Sequence, residues 1–261
     1  MELQTKFTSR QAITDYLETA LSGLFSGVPQ APELIGGRKA ALERLATFRA
    51  QNYGRRNHTD APVSKLSAYL RHGMLSISEV ADHIRRNSTG RERNEFLKQL
   101  TWREFFGLVL EQEGESVLSN LEAPKYPARW QKDLPSDLEN GVTGLPCVDA
   151  WVQKLVQTGY LHNHERLWFA AYTVHFRQTD WRAGFAFFRQ HLLDGDIASN
   201  ALSWQWVAST FSSKPYFMNK DNIQKFSGNR WCGGCRAVCP FNKSYAQLER
   251  ELFGASFGWA Q

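Results

Sequence analysis

Long apolar runs, internal repeats and low-complexity tracts are missing from this 261-residue sequence. No run approaches the roughly 18 consecutive apolar residues of a membrane-spanning helix, and the N-terminus, MELQTKFTSRQ, lacks the apolar segment of a secretory signal. These absences argue against a membrane partner and predict a cytoplasmic protein. Charge of one sign is not strongly enriched either, because the net charge is only +5.

Signals for β-structure are also nearly absent. Alternating apolar and polar residues and Asn-Gly hairpins hardly occur, whereas apolar residues recur at three- and four-residue steps through most of the chain. This pattern predicts an all-α fold in one domain, with a long irregular C-terminal segment. The clearest predicted helices cover about residues 146–157, 162–177, 181–193, 197–208 and 241–252. Connections are predicted at Val28–Gly37, Asn52–Val63, Gly114–Gly144 and Phe211–Pro240, which are rich in Gly, Pro, Asn or Ser.

A group of polar side chains stands among aromatic and aliphatic neighbours between residues 158 and 208. Its members are Asn163, Arg166, Asp194, Asp196 and Asn200. A charge left unpaired in a core would cost several kcal/mol, so these groups must pair with each other or with something bound. Carboxylates, a guanidinium and amides offer the donors and acceptors that a polar heteroaromatic ring requires. The segment therefore predicts a cofactor pocket.

The chain has only four cysteines, and three of them form the run Cys232-Gly-Gly-Cys235-Arg-Ala-Val-Cys239-Pro240. The fourth, Cys147, lies far upstream. A cytosolic chain rarely uses such thiols as disulfides, so the run predicts metal or cluster ligation. Four thiolates suit structural zinc, but a C-x2-C-x3-C-P run with one distant cysteine favours a [4Fe–4S] cluster, beside which proline is common. The residue types leave the choice between these two open.

A basic stretch runs from residue 214 to residue 243. The cations of this stretch are Lys214, Lys220, Lys225, Arg230, Arg236 and Lys243. They fit a track along a nucleic-acid backbone, and they fit equally well a loop that is merely kept soluble. The small positive net charge is compatible with a polyanionic partner without requiring one.

Five short motifs follow one another along the chain. They are LTWREF at 100–105, TGY-HN--R at 158–166, DW at 180–181, DGD---N at 194–200 and WQW-AST at 204–210. Their order and spacing resemble those of the C-terminal FAD-binding helical domain of the photolyase/cryptochrome family, over about residues 36–216. The four cysteines and SSKPY at 212–216 are similar to the iron–sulfur bacterial branch of that family, in which four cysteines hold a [4Fe–4S] cluster.

The resemblance implies an organisation in three segments. Residues 1–35 would form an N-terminal helical segment, residues 36–216 the FAD-binding domain, and residues 217–261 an iron–sulfur-ligating segment packed on the same domain. The sequence has no counterpart of the N-terminal α/β antenna domain of the family, so we expect no antenna pigment. The cluster ligands implied are Cys147, Cys232, Cys235 and Cys239, with zinc as the alternative metal.

The resemblance also implies which residues contact FAD. Arg166 would pair with Asp194 over the isoalloxazine, and Asp196 would accept a hydrogen bond from a flavin ring nitrogen. Asn200 stands where photolyases keep an asparagine near the flavin N5 atom. The other implied contacts are Asn163 at the flavin, Ser64, Leu66 and Ser67 at the phosphates, Tyr53, and Arg103 at the boundary of the substrate pocket.

The substrate pocket follows from the same resemblance. Trp102 and Arg103 match its wall, and the Trp102 indole would stack on a flipped base. Gln99 stands where photolyases that repair cyclobutane dimers carry a glutamate, so this chain cannot supply a carboxylate there. Trp102, Gln99 and Asn200 are the predicted catalytic residues.

Three tryptophans resemble the triad that feeds electrons to photoexcited flavin in this family. They are Trp204, Trp181 and Trp130. For Trp206 and Trp168 the default interpretation is the hydrophobic core, which is the usual location of a tryptophan.

The function predicted from these features is that of a short photolyase-like flavoprotein. It would bind FAD and a [4Fe–4S] cluster, act as a monomer, and perform light-driven electron transfer, with repair of pyrimidine dimers as its lyase activity. Its expected partner is single-stranded DNA or RNA, because base flipping costs least without pairing. The alternative is a non-repairing blue-light sensor of cryptochrome type or a redox protein that binds nucleic acid.

Overall fold

The regular structure of the protein is helical. A computed structural model describes residues 3–24, 34–51 and 53–254. Its helices are α1 (Arg10–Ala20), α2 (Arg38–Thr47), α3 (Ser67–Arg71), α4 (Ile77–Asn87), α5 (Gly90–Glu113), α6 (Ser136–Glu139), α7 (Pro146–Thr158), α8 (Asn163–Ala171), α9 (Trp181–His191), α10 (Ile197–Ala208), α11 (Lys220–Phe226) and α12 (Tyr245–Phe253). Within the described ranges there is no strand, and an isolated bridge joins Gln131 to Thr179. The predicted all-α fold class is confirmed. None of the described helices has both the length and the apolar character needed to cross a membrane.

Helices begin at capping residues that the sequence supplies. Ser9 caps α1 by accepting a hydrogen bond from the backbone of Ala12, and Ser76 starts α4 in a capping box with Glu79. Asp180 and Asp196 cap α9 and α10 in the same way. Because these caps fix the first turn, α9 and α10 begin at the predicted residues 181 and 197.

The prediction of a continuous connection over 211–240 is wrong, because this segment contains α11. The Asn219 side chain caps that helix by accepting a hydrogen bond of 2.9 Å from the backbone of Asn222. The predicted connection over 114–144 contains the short helix α6 in the same manner. Helices of two turns or fewer show too little of the 3.6-residue period to be predicted from apolar spacing.

The predicted helix over 162–177 changes its geometry near its end. After α8 the chain continues as a π-helical turn, Tyr172–Phe176, a feature that occurs frequently at functional sites. Residues 28–33 of the first predicted connection, and Asn52 of the second, lie outside the described residues.

The largest hydrophobic core lies between α7, α8, α9 and α10. Its fully buried side chains include Trp151, Trp168, Trp181 and Trp204. Helices α9 and α10 approach closely because Gly184 has no side chain, and a Cβ atom there would overlap the Trp204 ring. The packing of Trp204 therefore depends on glycine at position 184.

A second core lies among α2 to α5, and the C-terminal segment packs on the main core. Helices α2 to α5 enclose a second core, which includes Leu66 and Tyr69. Part of the C-terminal segment packs on the main core through Met218, Ile223 and Phe241. The tail, residues 217–254, is therefore packed against the helices that carry the polar motifs.

Candidate cofactor and substrate site

A cavity of about 210 Å³ opens between α8 and α10. Asn163, Arg166, Asp194, Asn200 and Trp204 are among the residues that line it. Helical spacing explains this convergence, because residues three or four positions apart share one face of a helix. Four of the five polar residues identified in the sequence thus line the same cavity.

A second cavity of about 230 Å³ adjoins the first. Ser67, Asn163, Arg166 and Asp194 line both, so together they form one elongated space. The wall of its far part contains Tyr53, Arg56, Ser64, Lys65 and Leu66. Hydroxyl groups and two cationic side chains at this end provide donors for an anionic ligand group.

An ion pair between Arg166 and Asp194 stands where the two cavities meet. Nη1 and Nη2 of Arg166 each lie 3.0 Å from an oxygen of Asp194, and Nε donates to the Leu161 carbonyl at 3.0 Å. Burial raises the pKa of Asp194, but the charge of Arg166 and hydrogen bonds from Arg166 and Ser67 outweigh it, so the pKa lies below its ordinary value. Asp194 is therefore a carboxylate at neutral pH.

Asp196 lies beside the first cavity rather than among the residues that line it. Its Oδ1 accepts a hydrogen bond of 2.8 Å from the Ser199 backbone, and its Oδ2 accepts one of 3.0 Å from Arg103. Asp196 thus caps α10 and orients Arg103, which lines the first cavity. Direct contact of Asp196 with a flavin nitrogen remains a prediction.

The two amides of the site have hydrogen-bonding capacity available for a ligand. Nδ2 of Asn200 donates to the Phe185 carbonyl at 3.3 Å, and this leaves Oδ1 as an acceptor. Asn163 is exposed, lines both cavities, and makes no side-chain hydrogen bond with another described residue. Both positions therefore suit a polar ring placed between α8 and α10.

An aromatic cavity of about 600 Å³ opens next to the first cavity. Its aromatic lining consists of Trp102, Phe105, Phe106, Trp206 and Phe211. Asn163, Leu167 and Ser203 line both this cavity and the first one, so the two spaces are neighbours. Trp102 is 47% exposed and Trp206 is 41% exposed, which leaves large ring surfaces free to stack on a flat ligand.

The assignment of Trp206 to the core is wrong, because its ring is open to solvent in the aromatic cavity, whereas Trp168 is fully buried. Gln99 also differs from expectation, since it lines the second cavity and does not join Trp102. Both residues lie on α5, and the two cavities that they line are bounded by different segments packed against this helix.

Sequence reasoning missed three phenylalanines of the aromatic cavity. Phe105 and Phe106 follow Trp102 at the three- and four-residue steps of one helix face, a signal that was available. Phe211 carried no such signal. Helix α10 ends at Ser209 in the left-handed conformation, with φ of 61°, and this turn brings Phe211 against Phe105, with ring centroids 6.5 Å apart.

Of the three tryptophans of the predicted electron path, Trp204 alone is among the described residues that line the first cavity. Trp204 lines that cavity and contacts Gly184, which lies one turn after Trp181 on α9. The segment that contains Trp130 pairs with residues 178–180, immediately before Trp181. Trp204 and Trp181 are buried, whereas Trp130 is half-buried.

The four cysteines line one cavity of about 420 Å³. Cys147 is buried on α7 and Cys235 is exposed, and none of the four forms a disulfide. Among the described residues, no three His, Cys, Asp or Glu side chains lie close enough together to hold a single metal ion. Burial raises the pKa of the Cys147 thiol to about 12, so a thiolate there requires a cationic partner in the cavity. Lys220 and Arg236 line the same space.

The two connected cavities fit a long ligand with a flat polar ring at one end and an anionic group at the other. Asn163, Arg166 and Asn200 offer polar contacts for the ring, while Ser64 and Lys65 offer donors for the anion. Such a donor set suits a flavin nucleotide. The fold and the site together therefore define a helical, cofactor-binding domain.

Comparison with known families makes this description specific. The family model for the FAD binding domain of DNA photolyase matches residues 96–232, which is more than half of the chain. This chain belongs to the photolyase FAD-binding family, and the predicted resemblance is confirmed.

Individual relatives show the same relationship. The deoxyribodipyrimidine photo-lyase of Halobacterium salinarum is 34% identical over 206 residues, covering 72% of this chain and 43% of that protein. A class III photolyase structure from Agrobacterium tumefaciens has a TM-score of 0.66 at 25% identity and covers 87% of this chain and 52% of its own. The photolyase structure from Sulfolobus tokodaii, which contains two FAD molecules, has a TM-score of 0.65 at 29% identity and covers 76% and 46%. The chain spans less than half the length of the curated relatives it matches.

Proposed function

We propose that the protein is a photolyase-type flavoprotein that uses FAD and light to transfer electrons to a damaged base in nucleic acid. FAD, when bound, supplies the light-absorbing electron carrier. Its ring would lie against Asn163, Arg166, Asp194 and Asn200, with Arg103 and Asp196 at the edge. Its phosphates would lie near Ser64, Leu66 and Ser67, and Tyr53 would complete that end.

The main support for this proposal is that the aromatic cavity adjoins the first cavity, in which the flavin ring would lie. A flipped pyrimidine dimer stacked on Trp102 and Trp206 would lie next to a flavin held by Asn163. One electron given to the dimer would break the two carbon–carbon bonds that join the pyrimidines, each base would regain its ring double bond, and the electron would then return, so no external reductant is consumed. The names of the relatives support this lyase activity.

Single-stranded DNA is the proposed form of the substrate. Five aromatic rings line one open cavity, and stacking of each unpaired base on such a ring is worth about 1–3 kcal/mol. A base that has no pairing partner enters this cavity at the smallest cost. Matched oligonucleotides of single-stranded DNA, duplex DNA and RNA separate the possible partners in one binding series.

The test of repair is illumination of the reduced protein with a thymine-dimer oligonucleotide. We expect the ultraviolet absorbance of intact thymine to return, and Trp102→Ala to weaken oligonucleotide binding by about tenfold, since one stacking contact is lost. Leu108→Ala is the control, because Leu108 is 55% exposed on the same helix outside the cavity. An unchanged absorbance with stoichiometric FAD present would exclude repair.

An electron path for loading the flavin is proposed through Trp204, Trp181 and Trp130. Trp204 lines the first cavity and would give one electron to the excited flavin. Trp181 would then refill Trp204, and Trp130, half-buried at the edge of the core, would refill Trp181. Trp204→Phe should slow photoreduction without removing FAD.

A [4Fe–4S] cluster is proposed for the cysteine cavity. A single zinc ion needs four sulfurs about 2.3 Å from one point, whereas these four thiols surround a larger space without a group fit for one ion in the described chain. Lys220 and Arg236 would offset the net negative charge of a thiolate-bound cluster. Residues 217–261 would then be its ligating segment, with Cys147 as the ligand from the helical domain. Iron and acid-labile sulfide in purified protein would support the cluster, and zinc alone would contradict it.

A non-repairing light sensor is the second candidate function. It is favoured by one observation: among the described residues, no acidic side chain lines the aromatic cavity, and Gln99 lines the second cavity instead. Under this alternative, photoreduction proceeds normally while the dimer oligonucleotide stays unchanged.

A further inference from the structure

The three indole N–H groups of the proposed electron path differ in their hydrogen-bond partners. Nε1 of Trp204 is buried and has no partner among the described residues. Nε1 of Trp181 instead donates a hydrogen bond of 2.8 Å to Oδ1 of Asn120, and Nε1 of Trp130 lies at the Tyr126 hydroxyl. Within the described chain, the middle indole of the path thus differs from Trp204, the indole that lines the first cavity, in having a fixed acceptor.

Asn120 is held in position by the helix that carries Trp204. Gln205, which is fully buried, donates through Nε2 to the Val117 carbonyl and accepts through Oε1 from the Leu121 backbone, both at 2.9 Å. These two bonds hold the backbone before and after Asn120, at Val117 and at Leu121. The loop is therefore fixed to α10, although Asn120 itself lies at the surface.

An acceptor at the indole N–H acts more strongly on the oxidised ring than on the neutral one. When Trp181 loses an electron, positive charge makes its N–H a stronger donor, and a hydrogen bond that involves a charged group is stronger than a neutral one. The guanidinium of Arg182, 5.8 Å from the ring centroid, opposes this charge, but Asp180 pairs with it at 2.5 Å. Asn120 is thus the polar group placed to stabilise oxidised Trp181.

We infer that Asn120 is a positioning residue that directs electron transfer by stabilising the oxidised state of Trp181. The inference rests on the proposed electron path. One electron passes from Trp181 to oxidised Trp204 without breaking a bond, and the Nε1 proton stays between the Trp181 ring and Asn120. Trp130 then gives one electron to Trp181. The positive charge is favoured on Trp181 over Trp204 by about fivefold to tenfold, the usual difference between a charged and a neutral hydrogen bond.

The test compares Asn120→Leu with Asn120→Asp. Leu removes the acceptor and excludes water from Nε1, whereas Asp keeps an acceptor. In FAD-loaded protein, flash absorption of the tryptophan radical should show the yield of long-lived charge separation reduced about fivefold in Asn120→Leu, by the loss of that one bond. Asn120→Asp should restore the yield to at least the original value.

A second readout does not depend on FAD. In the apoprotein, the indole N–H resonance of Trp181 should shift in Asn120→Leu, because its hydrogen bond is lost, while the resonances of Trp204 and Trp130 stay unchanged. Asn120→Ala should change the yield in the same direction but less, because water can reach the vacated position.

The outcomes separate the inference from the function on which it rests. A normal yield in Asn120→Leu, with the yield abolished in Trp181→Phe, would overturn the role of Asn120 and leave the electron path intact. A normal yield in both variants would overturn the path itself. Loss of yield in Asn120→Leu without recovery in Asn120→Asp would mean that Asn120 acts through packing, which contradicts the inference.

Discussion

The first and second cavities together, which we call the flavin cavity, differ from the cysteine cavity in how their polar groups are held without a ligand. In the flavin cavity, Arg166 pairs with Asp194 and Arg103 pairs with Asp196, so each buried charge already has a partner. In the cysteine cavity, four unbonded thiols face one space, and three of them lie between α11 and α12 outside regular helix. Val238, between two of these thiols, is 98% exposed.

Because of this difference, we expect the two sites to respond differently to loss of their ligands. The flavin cavity is preformed, because the ion pairs and the packing of α8 to α10 fix its walls. The loop with the three cysteines lies outside regular helix, so a bound metal centre would supply part of its folding free energy. Each of the following predictions tests one side of this comparison.

The largest effect is expected from Cys147→Ala. Loss of one thiolate ligand should release the proposed cluster and destabilise residues 217–254 by several kcal/mol, since binding and folding are coupled at structural metal sites. FAD should remain bound, because α8 and α10 do not depend on the cluster. Iron content, flavin content and hydrogen exchange of the tail measure these effects.

Val238→Ala is the matched control for the cysteine loop, because its side chain is exposed and holds no metal. If residues 217–254 are equally protected from hydrogen exchange in Cys147→Ala and in the unchanged protein, the proposed difference between the two cavities is contradicted.

The next effect is expected from Arg166→Gln in the flavin cavity. The change leaves Asp194 as a buried, unpaired carboxylate, which costs about 2–4 kcal/mol at a site where Arg166 keeps some solvent contact. FAD affinity should fall by about a hundredfold or more, while iron content stays unchanged. Flavin fluorescence titration measures the affinity.

Arg182→Gln provides the comparison for that substitution, since Arg182 also pairs with an aspartate but lies half-exposed on α9. Comparable loss of FAD in both variants would show that the effect comes from general destabilisation.

Acid should weaken the molecule in two separate pH ranges. Burial lowers the pKa of His164 and that of His175 to about 4, so the unfolded state binds more protons below its ordinary pKa of about 6.5. Their contribution is full above that pH and is lost as the pH falls toward about 4. Asp194, whose pKa is depressed, contributes above its unfolded pKa of about 3.9, and that contribution is lost only at lower pH.

Urea unfolding across this pH series measures the two ranges. His175 contacts Phe253 of α12 at a centroid distance of 5.0 Å, so the tail should lose protection before the flavin cavity does. His175→Gln should reduce the slope of stability against pH above about pH 4, where this histidine titrates. An unchanged slope would contradict the assignment of a buried neutral imidazole.

The smallest effect is expected from Asn163→Ala. This side chain has no protein partner within the described residues, so its loss should leave stability unchanged and reduce FAD affinity by up to about tenfold, the value of one hydrogen bond. Asn140→Ala, which removes an amide on the surface, should change neither. Unchanged FAD affinity in Asn163→Ala would exclude Asn163 from the ring contacts.

The polar wall of the flavin cavity could be predicted from the sequence because helical geometry is local. Asn163 and Arg166 share one face of α8, and Asn200 lies one turn before Trp204 on α10. The caps Asp180 and Asp196 also fixed the helix starts. For Asp196 the same local signal had two meanings, since a helix cap and a flavin contact require the same residue type.

The aromatic cavity could be predicted only in part, because it joins segments that are distant in sequence. Phe211 reaches Phe105 and Phe106 through the left-handed turn at Ser209, and nothing in the local pattern specifies that direction. The separation of Gln99 from Trp102 has the same origin, since their cavities are defined by what packs against α5. Helix α11 was missed for a different reason, its length of seven residues.

The flavin content of the purified protein is the most direct test of FAD binding by this domain. We expect one tightly bound FAD per chain, visible in the absorption spectrum and strongly reduced in Arg166→Gln but not in Arg182→Gln. A folded protein that neither contains flavin nor takes up added FAD would contradict it.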